Sequence, residues 1–125
     1  MDIGSVKVSE TSILKVRHPL NGSETDITIE LYGADTKHYR SAVNSLAKSR
    51  SKNKSSATME EIEDAALTLL ADCTASWNNI EENKKQLPFS KENAKRIYSE
   101  LPWLRKQVDS FIGDDINFLD EQPSV

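Results

Sequence analysis

The hydrophobic period of this chain changes once, from two to about 3.6 residues, and that change sets its fold class. Over residues 26–32, Ile27, Ile29 and Leu31 alternate with Thr28 and Glu30, the pattern of a strand with one buried face. The preceding run Ile13-Leu14-Lys15-Val16-Arg17 supplies a partner strand, and Asn21-Gly22 can turn the chain because both residues tolerate positive φ. The spacer is too long for a two-residue turn, so the sequence predicts a hairpin with an open loop. Gly33 ends the second strand, and the stripes that follow are helical.

Asp35 is a candidate N-cap for a helix whose stripe is Tyr39, Ala42, Val43, Leu46 and Ala47. The stripe stops at Ser49-Arg50-Ser51-Lys52-Asn53-Lys54-Ser55-Ser56, which has no apolar side chain and reads as a mobile linker near 50–57. Thr58-Met59-Glu60-Glu61 has capping-box spacing, and Glu60, Glu61, Glu63 and Asp64 suit a helix N-terminus. From there Ile62, Ala65, Ala66, Leu69, Leu70, Cys73 and Trp77 predict one helix of about five turns. Residues 78–86 are polar apart from Ile80, and Leu87-Pro88-Phe89-Ser90 leads into another helix, with Ser90 as its cap and Glu92 in its first turn. Ala94, Ile97, Tyr98 and Leu101 form that helix's apolar face. Pro102 starts a new helix or a kink; Leu104, Val108, Phe111 and Ile112 line its inner side, and Gly113 stops it. Asp114-Asp115 opens an acidic tail anchored by Phe118 and Leu119. The expected fold is α+β, mainly α, with an N-terminal β-hairpin followed by about four helices. Residues 1–12 read as an extended segment, 13–119 as one domain, and 120–125 as the acidic tail, with no internal repeat.

A chain of 125 residues suffices for one core. Its single cysteine, Cys73, rules out an internal disulfide framework. The longest apolar-rich run, 65–71, is far short of a membrane span and is bounded by Asp64 and Asp72. The first dozen residues have no continuous apolar core, so the expectation is a soluble intracellular protein without a signal peptide. The sequons at Asn21 and Asn53 are then chance matches. A net charge of -4 argues against general nucleic-acid affinity. The charge is unevenly spread, however: residues 37–54 hold six Lys/Arg and no acid, and 108–125 hold five acids and no base. The basic segment is a solvated linker or the contact of a small nucleic-acid-binding regulator, although no aromatic residues interleave it. Opposite-sign ends also allow weak, salt-sensitive self-association.

Enzyme signatures are nearly absent. Glycines at 4, 22, 33 and 113 provide neither a dinucleotide fingerprint nor a Walker loop. His18 and His38 are expected on the surface, one in a strand and one in a helix, and with one cysteine they give no zinc spacing. Cys73 falls on an apolar stripe and reads as a core residue rather than a reactive thiol. Asp114 and Asp115 are too few for a hard-metal cage. The expectation is a non-enzymatic protein with no cofactor and no metal.

Six of the eight aromatic residues fall within 77–118: Trp77, Phe89, Tyr98, Trp103, Phe111 and Phe118. They form a core, or some of them line a groove for a partner helix. Their order is distinctive. Trp77-Asn78-Asn79-Ile80, Leu87-Pro88-Phe89-Ser90, Asn93-Ala94, Leu101-Pro102-Trp103-Leu104, Gln107-Val108, Phe111 and Asn117-Phe118 together resemble the tail assembly chaperones of long-tailed bacteriophages. The resemblance covers 77–119, is looser in the hairpin and the Thr58 helix, and does not extend to 35–56. It implies a non-enzymatic chaperone that binds the tape measure protein and keeps it soluble while the tail tube assembles. The tail tube protein is a second implied partner, the host bacterial cytoplasm the implied location, and the mature virion would lack the chain. Trp77, Ile80, Leu87, Phe89 and Trp103 are the residues nominated for the client groove. A structural tail protein resembling a terminator is an alternative that would remain in the virion.

Overall fold

The expected alternation closes a real hairpin. In a computed structural model, which describes residues 2–51 and 58–121, β2 (Thr11–Arg17) pairs antiparallel with β3 (Glu24–Tyr32). A shorter strand, β1 (Val6–Val8), precedes them. The register sets Leu14 opposite Ile29 and Ser12 opposite Leu31, so Leu14, Val16, Ile29 and Leu31 share the buried face. Gly22 turns the connection with φ of 73°. His18 lies just past the end of β2, in that connection.

Four helices follow: α1 (Lys37–Ser51), α2 (Met59–Asp72), α3 (Lys91–Glu100) and α4 (Pro102–Gly113). With the hairpin they make the α+β, mainly α fold that the periodicities predict. Their start signals act as expected in three cases. Thr58 Oγ1 accepts from Glu61 N, Ser90 Oγ accepts from Asn93 N, and Pro102 occupies the first position of α4. At α1 the cap is Thr36 rather than Asp35. Thr36 Oγ1 accepts from Tyr39 N at 3.2 Å while donating to Gly33 O at 2.7 Å, and its buried hydroxyl holds both ends of the turn. Helix α1 also runs through Ser51, into the stretch read as linker, and 52–57 lie outside the described residues.

The largest departure lies after α2. That helix ends at Asp72, and Thr74–Asn78 is a strand, β4, paired with β3 so that Ile29 faces Trp77; the sheet order is β2-β3-β4. Cys73 and Trp77 are four residues apart, a spacing that suits a helix, so periodicity alone prolonged the helix. Pairing decides otherwise. The outward amide of Tyr32 on β3 needs an acceptor, and Cys73 O supplies it at 2.8 Å where the chain leaves the helix. The polar stretch that follows makes a second hairpin from β5 (Glu81–Glu82) and β6 (Lys85–Gln86), turned by Asn83 and Lys84 at φ of 53° and 65°. The chain ends also pair. A 3-10 turn, Asp115–Phe118, leads into β7 (Leu119–Glu121), which runs antiparallel to β1 with Val8 opposite Leu119. The read boundaries at 12 and 120 therefore fall within strands. Phe118 is buried as its anchor role requires, whereas Leu119 is largely exposed.

The core joins the inner face of the sheet to Leu67, Leu70 and Ala71 of α2, Ala94, Ile97 and Tyr98 of α3, and Leu104, Val108 and Ile112 of α4. Tyr98 is fully buried, and its hydroxyl meets Thr74 Oγ1 at 2.8 Å. Since Thr74 Oγ1 donates its own proton to Leu70 O, Tyr98 is the donor in that pair.

Candidate functional site

Four of the five nominated residues come together, and mostly inward. Trp77 and Ile80 are buried in the core, whereas Leu87 and Phe89 are half-buried against it. Trp77 Nε1 donates to Leu87 O at 2.8 Å, Leu87 N donates to Ile80 O at 2.8 Å, and the Phe89 ring meets Trp77 edge-on at 5.1 Å. The β5–β6 excursion is thus clasped at its base by a satisfied indole. Trp103 lies on α4, half-buried against the core. Trp77 and Ile80 thus belong to the core, while Leu87, Phe89 and Trp103 keep part of their surface open.

An open apolar groove lies elsewhere, along α2. Of the expected stripe, Leu70 is buried in the core together with Leu67 and Ala71, which the stripe left out, whereas Ile62 and Ala66 are exposed and line an open groove with Leu69, a groove that Leu67 and Leu70 also reach. A cavity of about 550 Å³ runs between α2 and α4, floored by Ile62, Ala66, Leu69 and Ile112 and bordered by Tyr39 at the start of α1. A second crevice of about 280 Å³ continues from the same Ile62, Ala66 and Leu69 to Val43, Leu46 and Ala47 of α1. Met59 is 79% exposed, Ile62 45% and Val43 39%, so the surface presents large side chains rather than stray carbons. Its rim is charged with both signs: Glu60, Glu63 and Asp109 against Arg105 and Lys106. Arg105 reaches from α4 to Glu63 on α2 at 3.3 Å and ties the two walls together. The sequence held a signal for this groove. Between Ile62 and Ala71 every residue but Glu63, Asp64 and Thr68 is apolar, which is wider than one buried face requires.

The titratable groups are arranged for packing. Cys73 is fully buried, and burial first, then the Asp72 carboxylate, pushes its thiol up to about 12. Burial likewise pushes Tyr98 up to about 12. Tyr39, at the edge of the groove, is raised chiefly by burial. His38 is not a free surface histidine: its ring stacks on Tyr32 at 3.8 Å, and its Nε2 lies 2.6 Å from Asp72 O. Among the described residues no group of three or more His, Cys, Asp or Glu side chains is placed to hold a metal ion. Among them, too, no helix is long and apolar enough to cross a membrane.

No protein-family model matches this chain, and neither the curated proteins nor the solved structures include a significant match.

Proposed function

We propose that this chain is a non-enzymatic tail assembly chaperone of a long-tailed bacteriophage, and that its groove over α2 holds a helical segment of the tape measure protein. The single observation that carries the reading is the groove itself. An amphipathic helix needs an apolar trough with contact points at one-turn spacing, and Ile62, Ala66 and Leu69 lie at i, i+4 and i+7 with crevices on both flanks. A rim of mixed charge suits the polar flanks of such a helix. The order of motifs over 77–119 supports the assignment to this class of chaperone. The exposed apolar surface is moderate, which suits weak contacts repeated over many copies along one client and released as a tube grows. The chaperone would act in the host cytoplasm and be absent from the mature virion.

The test is co-expression with overlapping segments of the long helical protein encoded beside this chain. The expected result is that one or more segments become soluble only in its presence and co-purify with it. If no segment does, the reading fails. Binding to DNA or RNA that weakens steeply with salt would favour the regulator that uses 37–54. Recovery of the chain from purified virions would favour a structural tail protein.

A further inference from the structure

The hairpin has one open edge, and its backbone is set out to receive another strand. On β2, Val16 O accepts from Thr25 Oγ1 at 2.7 Å, and just beyond it His18 N donates to Ser23 O at 2.8 Å. Even-numbered residues therefore turn their peptide groups toward β3, and Ile13, Lys15 and Arg17 turn theirs outward. At Arg17 the outward groups are already taken. Gln107 of α4 accepts from Arg17 N through Oε1 at 2.9 Å and donates to Arg17 O through Nε2 at 2.9 Å. This side-chain amide makes the pair of bonds that one residue of an antiparallel strand would make. Among the described residues, nothing takes the outward N–H and C=O of Ile13 and Lys15, the next two positions along the edge.

We propose that this edge binds an extended acidic segment of a partner protein as an added antiparallel strand. Beside the edge, between β2 and α4, lies a groove of about 490 Å³ in which Leu14 and Phe111 offer apolar contact. Lys15, Arg17 and Lys106 line it against one carboxylate, Asp114; Arg17 is also paired with Glu24 at 3.9 Å, whereas among the described residues Lys15 and Lys106 form no salt bridge. A strand alternates its side chains, so the fitting segment sets apolar residues over Leu14 and Phe111 and acidic ones beside Lys15 and Arg17. The same cations disfavour edge-to-edge pairing of two copies, because Lys15 and Arg17 would face the like charges of the second β2. The Gln107 pair marks where the added strand stops. This site shares Lys106 with the rim of the groove over α2 but does not depend on the helix-binding reading.

The experiment is amide hydrogen exchange read by NMR on the intact chain, with a blocked octapeptide of alternating valine and aspartate as the probe. At about ten times its Kd, the peptide should slow exchange of the Ile13 and Lys15 amides about tenfold. A peptide of the same sequence N-methylated along one edge should not, and an alternating valine–lysine peptide should not. The proposal is overturned by unchanged exchange at both amides, or by equal slowing with the N-methylated peptide. It is also overturned if the two amides are protected without peptide as concentration rises and sedimentation shows a doubled mass, since the occupant would then be a second copy.

Discussion

Replacing Gly33 by alanine tests how the C-terminal turn is locked to the end of the hairpin. A Cβ built on Gly33 would lie 2.7 Å from Cγ and 2.9 Å from both Cδ atoms of Phe118, well inside contact distance. The ring has little room to retreat. It is 4% exposed, it meets Phe111 edge-on at 5.5 Å, and its own carbonyl accepts from Ser9 N at 2.6 Å. Gly33 N is itself bonded to Glu10 O at 3.3 Å. Overpacking of this kind costs about 1–3 kcal/mol. Truncating the ring in Phe118→Ala costs about 3–5 kcal/mol through lost burial and a cavity. The informative variant is the double one. Once the ring is gone the added methyl no longer meets the three ring atoms it would clash with, and alanine's smaller unfolded-state entropy contributes about 0.4–1 kcal/mol of stability. Gly33→Ala should thus destabilise the wild-type chain and be neutral or stabilising beside Phe118→Ala, a coupling of about 2 kcal/mol. Urea denaturation of the four proteins measures it. Equal effects of Gly33→Ala in both backgrounds would refute the steric argument.

Tyr98→Phe should lower stability by about 1–2 kcal/mol in chemical denaturation, because it removes the donor that Thr74 Oγ1 accepts in a buried site. Cys73 should resist alkylation in the folded chain at neutral pH and react fully in denaturant. Its folded value, about 12, exceeds the ordinary 9.0, so the linked stability is complete below pH 9.0 and is lost as pH rises from there toward 12. A stability curve between those limits should fall less steeply for Cys73→Ala than for the parent. Gln107→Ala frees the outward groups of Arg17 and should cost about 1 kcal/mol, since water can replace the lost bonds at that exposed site. The same substitution should speed exchange of the Arg17 amide while leaving Leu70, in the core of α2, unchanged.

The parts of the fold governed by local chemistry were legible in the residues. The alternation of Ile27, Ile29 and Leu31, the caps Thr58 and Ser90, and the break at Pro102 each act over a few residues, and each appears where it was expected. What local reading missed depends on distant partners. β4 exists because β3 offers it an edge, and Cys73–Trp77 spacing cannot report an edge contributed from more than 40 residues away. β1 and β7 are three residues each and hold one another from opposite ends of the chain. Asp35 and Thr36 are both good caps, and only the burial of Thr36 against Gly33 separates them. The candidate site shows the same divide. Trp77 and Ile80 are large apolar residues of the kind that anchor partners, yet the core takes them. The α2 stripe was visible, but how it splits between core and groove is decided by where α1 and α4 lie.

The central claim is that a helical client lies on the outer face of α2 rather than on the aromatic residues of 77–103. A photo-crosslinking residue placed singly at Ala66, Phe89 or Trp103, in the chain co-expressed with its client segment, tests that claim most directly. Ala66 is exposed between the two crevices, so its replacement leaves the core untouched. The account predicts a crosslink to the client from position 66 and none from 89 or 103. Crosslinks from 89 and 103 with none from 66 would contradict it and return the client to the aromatic surface.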